Sequence, residues 1–414
     1  MKILRRGVSE MKVCVIGGGA SGMVAAITAA RAGAQVTILE KNDRLGKKIL
    51  VTGNGRCNLG NRNLSKEQYY SEDLAFVDRV LDRFGTEETI SFFRSIGLLV
   101  REKNGYLYPY SEQASSVLDV LRYELEQMGV ILRTGCPVRG LDRSGSGTFR
   151  VMLQDEQLFF DRVILACGSQ AAPKTGSSGD GYLFARQLGL TLLPVVPALV
   201  QLRCRGSFWK SVAGVRSEGR LCVMEKGRLI ASERGELQLT EYGVSGIPTF
   251  QLSRIVNRLL ANSPEVELFI DFMPDQPDEF FSDFTRNMKK RTRTVEEYFA
   301  GLWNKKLLQV FLKEAGLRPS DSVRNIPRQT LERVYAISRH FSVVCTGSNS
   351  FDQAQVCAGG VSLDELTDEL EAKKVPGLYL IGELLDVDGK CGGYNLHWAW
   401  STGYIAGSAA AEET

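Results

Sequence analysis

Apolar positions along this chain fall into short unbroken runs at both ends and into a mixture of strand-like and helix-like rhythms between them. Lys12 to Ile16 is a β-rich apolar run that stops at Gly17-Gly18-Gly19-Ala20-Ser21-Gly22, and a helix of small residues follows over Met23 to Ala32. After Gly33 a second apolar run, Gln35 to Leu39, ends in Glu40-Lys41. The order strand, glycine turn, helix, strand, acid predicts the opening of a doubly wound α/β sheet. Helical spacing marks Asp73 to Phe84, Thr86 to Ile96 with Thr86 as N-cap, and Ser115 to Met128. Leu98 to Arg101 and Tyr106 to Tyr108 predict a hairpin, and Val130 to Arg133 a strand.

From Cys136 to Phe160 the pattern predicts an antiparallel meander, followed by a buried strand at Arg162 to Ala166 that ends in Cys167-Gly168. Leu192 to Thr249 is rich in short β-like runs, glycine and proline, which predicts a barrel or sandwich. Pro277 to Leu331 is charged and helical, with a basic run at Lys289-Lys290-Arg291 and Arg293, and reads as a separate helical piece. Phe341 to Cys345 and Ala354 to Val361 return to β, Leu378 to Ile381 is a last buried strand, and a small-residue helix is expected over Leu396 to Ala411. The expected organisation is a tail at 1–10, a first part of the Rossmann-like domain at 11–191, a β-barrel-like insert at 192–276, a helical insert at 277–340, and a return to the first domain at 341–414.

Composition narrows the chemistry. The 414 residues carry 51 Lys plus Arg against 48 Asp plus Glu, a formal charge of +3, which argues against a nucleic-acid protein driven by charge. Nine cysteines without a CxxC pair argue against a disulfide framework or a zinc ribbon, and two histidines, His340 and His397, cannot build a multi-His metal site; no metal is expected. The first ten residues lack the apolar stretch of a signal peptide, and nowhere do 18 apolar residues run together, so a cytoplasmic setting without a membrane span is expected. The sequence sets no oligomeric state.

The spacing Gly17-x-Gly19-x-x-Gly22 lies between a strand and a helix, with Glu40 eighteen residues beyond the third glycine. In such a unit Gly17 permits the turn, Gly19 lets a pyrophosphate approach, Gly22 allows close helix packing, the helix N-terminus beyond the turn that holds Ala20 and Ser21 offers N–H groups to the phosphates, and the acid accepts from a ribose. The acid alone leaves FAD and NAD(P) both open. The polar loop that follows, from Lys47 and Lys48 through Thr52-Gly53-Asn54-Gly55-Arg56-Cys57-Asn58, is suited to wrap a second half of a cofactor. Gly382-Glu383, Asp388 and Gly392-Gly393-Tyr394-Asn395-Leu396 offer a second glycine-rich helix start with acids for polyol hydroxyls. Gly176 to Gly181 is readable as a phosphate turn or as a plain helix cap.

The fingerprint, LGKKILVTGNGRCNLGN (Leu45 to Asn61), AQVCAGGV (Ala354 to Val361) and LDVDGKCGGYNLHWAWSTGYIAG (Leu385 to Gly407) together resemble the YhiN/BaiN-type NAD(P)/FAD-dependent flavoproteins, a family that is aminoacetone-oxidase-like, over nearly the whole chain. The resemblance implies a split FAD-binding domain with FAD held by Gly17, Gly19, Ser21, Gly22, Glu40, Lys41, the loop from Lys48 to Asn58, Val138, Ala166, Cys167, Gly168, Gly382, Glu383 and the segment Gly392 to Leu396. Within the family it is nearest to members that saturate ring double bonds of 3-oxo bile acids.

FAD chemistry then implies hydride delivery to the β carbon of an enone in a small hydrophobic substrate, with NAD(P)H as electron source and a donor on the carbonyl. Arg56, Tyr394 and Lys47 are the candidate donors. Cys57 and Cys391 read as packing residues rather than a redox dithiol, and His397 as packing or flavin-edge rather than a general acid. No second GxGxxG follows residue 40, so a nicotinamide would visit the flavin transiently or not serve at all. The competing readings are an amine or aminoketone oxidase and a regulatory flavoprotein that binds RNA.

Overall fold

The computed structural model describes residues 11–412 apart from Ser146, Asp278 and 289–292; the expected tail at 1–10 and most of the basic run Lys289 to Arg293 lie outside the described residues. The chain divides into two compact units, one formed by residues up to Val196 together with those from Gln355 onward, the other by Pro197–Ala354.

The first unit is built on a five-stranded sheet in the spatial order Leu378–Leu380, Arg162–Leu165, Lys12–Ile16, Gln35–Leu39, Ile131–Arg133, parallel throughout. From Val13 to Ile16 the central strand is apolar on both faces because both are covered: Val13, Cys14 and Val15 are completely buried. One cover is the helix Ala20–Arg31, and against it lies the last helix, Tyr394–Ala410. A Cβ on Gly403 would stand 2.5 Å from the Ser21 carbonyl oxygen, and one on Gly407 2.4 Å from that of Ala25. Both numbers rise together along the two helices, so the helices run parallel at the closest backbone approach that glycine permits. The last helix starts two residues earlier than expected, at Tyr394. The expected meander appears as three antiparallel strands over Gly140–Arg143, Phe149–Met152 and Gln157–Phe160, and the hairpin as Val100–Lys103 with Tyr106–Pro109. The helix Thr86–Ser95 is capped by Gly85, not Thr86; the Glu88 carboxylate accepts from the Gly85 N–H at 3.0 Å, while Thr86 donates to the Asn61 carbonyl.

The second unit holds a closed antiparallel barrel with strands in the order Leu202–Cys204, Gly243–Gly246, Arg228–Thr240, Arg216–Glu225, Val266–Asp271, Phe341–Ser348. Two expected boundaries are corrected here. Phe341–Ser348 belongs to the barrel: it pairs with Val266–Asp271 and Leu202–Cys204, so the chain rejoins the first unit at Gln355 rather than at 341. At the other end Leu192 and Leu193 still belong to the first unit, bridged to Val361 and donating to the Gly360 carbonyl at 2.8 Å. The helical stretch is not a separate piece either. Its helices, among them Lys305–Glu314 and Arg328–Arg339, share one continuous core with the barrel, where the Phe311 ring lies 5.6 Å from Phe341 and 5.5 Å from Phe272. Amphipathic helices of this length need such a surface to bury their apolar stripe.

Candidate functional site

The three fingerprint glycines have different tasks. Gly17 adopts φ +109° with its would-be Cβ 2.4 Å from the Ala166 carbonyl oxygen, and a Cβ on Gly22 would meet the Gly17 carbonyl at 2.0 Å. These two pack the turn onto the strand ends. Gly19, the N-cap of Ala20–Arg31, has nothing within 4 Å of its would-be Cβ. With no side-chain cap and no acid in the first turn, the first N–H groups of that helix are left for an electron-rich ligand.

Glu40, at the end of Gln35–Leu39, braces this turn. Its carboxylate accepts from the Gly18 N–H at 2.8 Å and from the backbone and side-chain nitrogens of Asn42 at 2.8 and 2.6 Å. Three hydrogen bonds leave little acceptor capacity over, so the structural duty of Glu40 is larger than its expected duty toward a ribose. Lys41 bonds Ser178 and pairs with Asp180 at 2.5 Å, tying the second strand to the start of the helix Asp180–Gln187. The Cys136 N–H donates to the Glu40 carbonyl at 2.9 Å, which brings the segment carrying the half-buried Val138 to the same strand end. Ala166 continues the Arg162–Leu165 strand. Cys167 donates to the Ile16 carbonyl at 3.4 Å, and burial pushes its thiol up to about 12. Gly168, at φ +70°, packs on Ser177.

The loop after Gly46 is a short kinked 3-10 helix, Ile49–Gly55, anchored by buried Ile49. Gly53, Asn54, Gly55 and Cys57 all take positive φ, which turns the backbone sharply and lifts Gly53 to Arg56 into solvent; Thr52 caps the turn on the Ile49 carbonyl at 2.7 Å. The two adjacent lysines part company here. Lys47 makes an exposed pair with Asp43 at 2.7 Å. Lys48 turns inward to Glu383 at 2.6 Å, where the fully buried Ser169 hydroxyl also donates to the same carboxylate oxygen at 3.2 Å. Cys57 is buried and its thiol is raised to about 12 by burial. Asn58 is 9 % exposed and its Oδ1 has no hydrogen-bond partner, although a buried acceptor ordinarily has one. That oxygen lies 2.6 Å from the would-be Cβ of Gly393.

The C-terminal segment completes the site. Gly382, at φ +68°, packs on the Ser21 hydroxyl and donates to Thr402 at 3.0 Å. Asn395 exchanges two 2.8 Å hydrogen bonds with Gly389, which holds the turn containing buried Asp388. Gly392 and Gly393, at φ +137° and +95°, open the last helix at Tyr394, with Leu396 packed on the core. The Tyr394 ring lies edge-on to Tyr69 at 5.8 Å, and burial raises its phenol. Arg56 is exposed at the loop tip near Tyr108, whose phenol is raised by burial, an effect the Arg56 charge only partly offsets. Cys391 is raised to about 12 by burial, so it and Cys57 stay protonated at neutral pH, the reverse of a redox dithiol. His397 is wholly buried between Thr89 and the Phe84 carbonyl and is pushed down to about 4, a packing role.

Ser169, Asn42, Ser178 and Asp180 were not found from residue pattern as parts of this site, although the last two lie in the Gly176 to Gly181 turn. Among the described residues no group of three or more His, Cys, Asp or Glu is placed to hold a metal, and no helix is long and apolar enough to cross a membrane. Because the first and last helices are parallel, with Gly403 level with Ser21, both N-termini point to the carboxyl ends of the strands. The last helix starts about 12 Å further out at 1.5 Å per residue. Two unneutralised N-termini in line, an open Gly19 and an orphaned Asn58 oxygen fit a long dinucleotide with a second hydrogen-bonding half.

The HI0933-like protein Rossmann domain model matches residues 11–409. The chain is 44% identical over 406 residues to the 3-dehydro-bile acid delta(4,6)-reductase of Clostridium scindens, covering 97% of this chain and 99% of that one. It is 30% identical over 392 residues to the ribosomal RNA dihydrouridine synthase of Escherichia coli, covering 94% and 95%. The 3-ketosteroid delta1-dehydrogenase from Sterolibacterium denitrificans shares the fold, with a TM-score of 0.53 at 14% identity over 96% of this chain and 99% of that chain. The chain belongs to the HI0933-like Rossmann family and is an FAD-dependent oxidoreductase.

Proposed function

We propose that this enzyme reduces a carbon–carbon double bond conjugated to a carbonyl in a hydrophobic ring substrate of the 3-oxo bile acid or steroid type, with NAD(P)H as electron source. The observation that carries the reading is 44% identity along 97% of the chain to a reductase named for that chemistry. The more distant relative supports the reaction class, since dihydrouridine is uridine with its carbonyl-conjugated ring double bond saturated. Bound FAD supplies the hydride. The chain supplies position and charge: the helix N-termini at Gly19 and Gly393, Lys48 with Glu383, and the Asn58 amide hold the cofactor, and Glu40 keeps the glycine turn in shape for it. Tyr394, kept protonated by burial, and Arg56, an exposed cation on the loop tip, are the donors suited to a carbonyl oxygen that gains negative charge. Lys47, engaged with Asp43, is the weakest of the three donors.

Anaerobic stopped-flow on the FAD-loaded protein tests this. NADH or NADPH should bleach the flavin, and a 3-oxo-4,6-diene bile acid should restore its colour, with Tyr394→Phe slowing the second step about 100- to 1000-fold and leaving the first intact. Restoration by unmodified ribosomal RNA and not by the dienone overturns the substrate assignment in favour of the nucleic-acid reading. Absence of bleaching by either nicotinamide refutes the donor.

A further inference from the structure

Two cysteines about 140 positions apart in sequence meet at the seam of the barrel. Leu202–Cys204 and Phe341–Ser348 are neighbours, and in their register Cys204 stands directly across from Cys345. The Arg205 N–H donates to the Val344 carbonyl at 2.8 Å, so the hydrogen-bonded pair is the next one along and 204/345 is a non-hydrogen-bonded antiparallel pair. Such pairs bring Cα atoms to about 4.5 Å with both side chains on one face, within the roughly 4.4–6.8 Å window a disulfide requires. The register shifts between Arg203 and Cys204, so a bulge at Thr346 ends the regular ladder beside the pair. Both cysteines are free, Cys345 is fully buried and Cys204 is 9 % exposed.

We propose that Cys204 and Cys345 form an oxidation site that a small peroxide converts to a disulfide, covalently closing the barrel between two strands remote in sequence. The direction of the chemistry follows from the contact. The Cys345 thiol donates to the Gly347 carbonyl at 3.2 Å, and the Cys204 thiol across from it shifts the Cys345 pKa down and its own up. Cys14, Cys57, Cys167, Cys357 and Cys391 are all raised by burial instead, so Cys345 is favoured as nucleophile over these. Its thiolate attacks one peroxide oxygen, the O–O bond breaks, and the departing oxygen leaves as water, giving a sulfenic acid. The Cys204 sulfur then displaces the hydroxyl from that sulfenic acid. The S–O bond breaks, the S–S bond forms, and the Cys204 proton leaves with the hydroxide as a second water. Two thiols and one hydrogen peroxide thus become one disulfide and two waters. With Cys345 fully buried and Cys204 only 9 % exposed, an oxidant of this size is favoured over a glutathione-sized disulfide.

The FAD-loaded full chain is treated with a small excess of hydrogen peroxide, remaining thiols are blocked under denaturing conditions, and peptides are mapped by mass. The expected product is the Cys204 peptide joined to the Cys345 peptide with loss of two hydrogens, reversed by dithiothreitol, and a rise in the barrel's thermal midpoint that the reductant abolishes. In Cys204→Ser the link is absent and Cys345 is recovered as sulfenic or higher oxides. The proposal is overturned if both thiols remain free while other cysteines oxidise, or if the dominant link joins either residue to a different cysteine. The wild-type map decides this even should the variant fold poorly.

Discussion

Gly403→Ala sets two effects of opposite sign against each other. Alanine is the better helix former by about 0.8–1.0 kcal/mol, so on propensity alone the substitution stabilises. The added methyl, however, would stand 2.5 Å from the Ser21 carbonyl oxygen and 3.2 Å from the Val24 Cβ, and neither is the free end of a flexible side chain. Relieving that overlap moves one helix backbone against the other, an overpacking cost of about 1–3 kcal/mol. With a contact this close packing outweighs propensity, and the expected net loss is about 0–2 kcal/mol, a fall in midpoint of up to roughly 8 °C for a unit of this size. The displacement also acts on Ser21, which Gly382 touches from the other side, so the flavin site loosens with it. Thermal release of flavin fluorescence at fixed, saturating FAD reports this unit directly, with Gly301→Ala as control because nothing lies within 4 Å of its added carbon. A Gly403→Ala protein that releases flavin at or above the wild-type temperature refutes the close parallel packing of the two helices.

Two further outcomes follow from the site. His397 is held at about 4 against about 6.5 when unfolded, so below pH 6.5 the unfolded chain takes up a proton that the fold refuses. Stability falls as the pH drops from about 6.5 to about 4 and then levels, a total of about 3 kcal/mol, and urea midpoints across this range should flatten in His397→Gln. Lys48→Met removes the partner of Glu383 and should weaken FAD retention about 10-fold by fluorescence titration, whereas Lys47→Met, which breaks only an exposed pair, should leave it unchanged. Equal effects of the two substitutions would contradict the inward turn of Lys48.

The Rossmann half was legible because its signal is local: strand, three glycines, helix, strand and acid lie within thirty residues, each forced by its own physics. The barrel was legible as β structure, but its last strand was assigned to the wrong unit. Phe341, Val343 and Cys345 are buried while Ser342 and Thr346 are exposed, an alternation that belongs to a one-sided antiparallel strand; VCVI at 13–16 has no such polar face. Whether Lys47 or Lys48 turns inward depends on the kink of the Ile49–Gly55 turn, which adjacent identical residues cannot reveal. Asn42 bracing Glu40 and Cys204 meeting Cys345 are tertiary facts, set by loop geometry and by barrel register.

The sheet's fifth strand and the last helix have a consequence for how the molecule is made. Leu378–Leu380 completes the sheet beside Arg162–Leu165, and Tyr394–Ala410 covers the first helix, yet about 200 residues separate Val196 from these closing elements. At roughly 5–20 residues per second the ribosome takes about 10–40 s to deliver them. During that interval the nascent amino-terminal half presents an unpaired strand edge and an uncovered apolar helix, while Pro197–Ala354, with a core of its own, has everything it needs to fold. Chaperone demand in synthesis should therefore centre on the first part of the chain to emerge, and persist until the last helix is out.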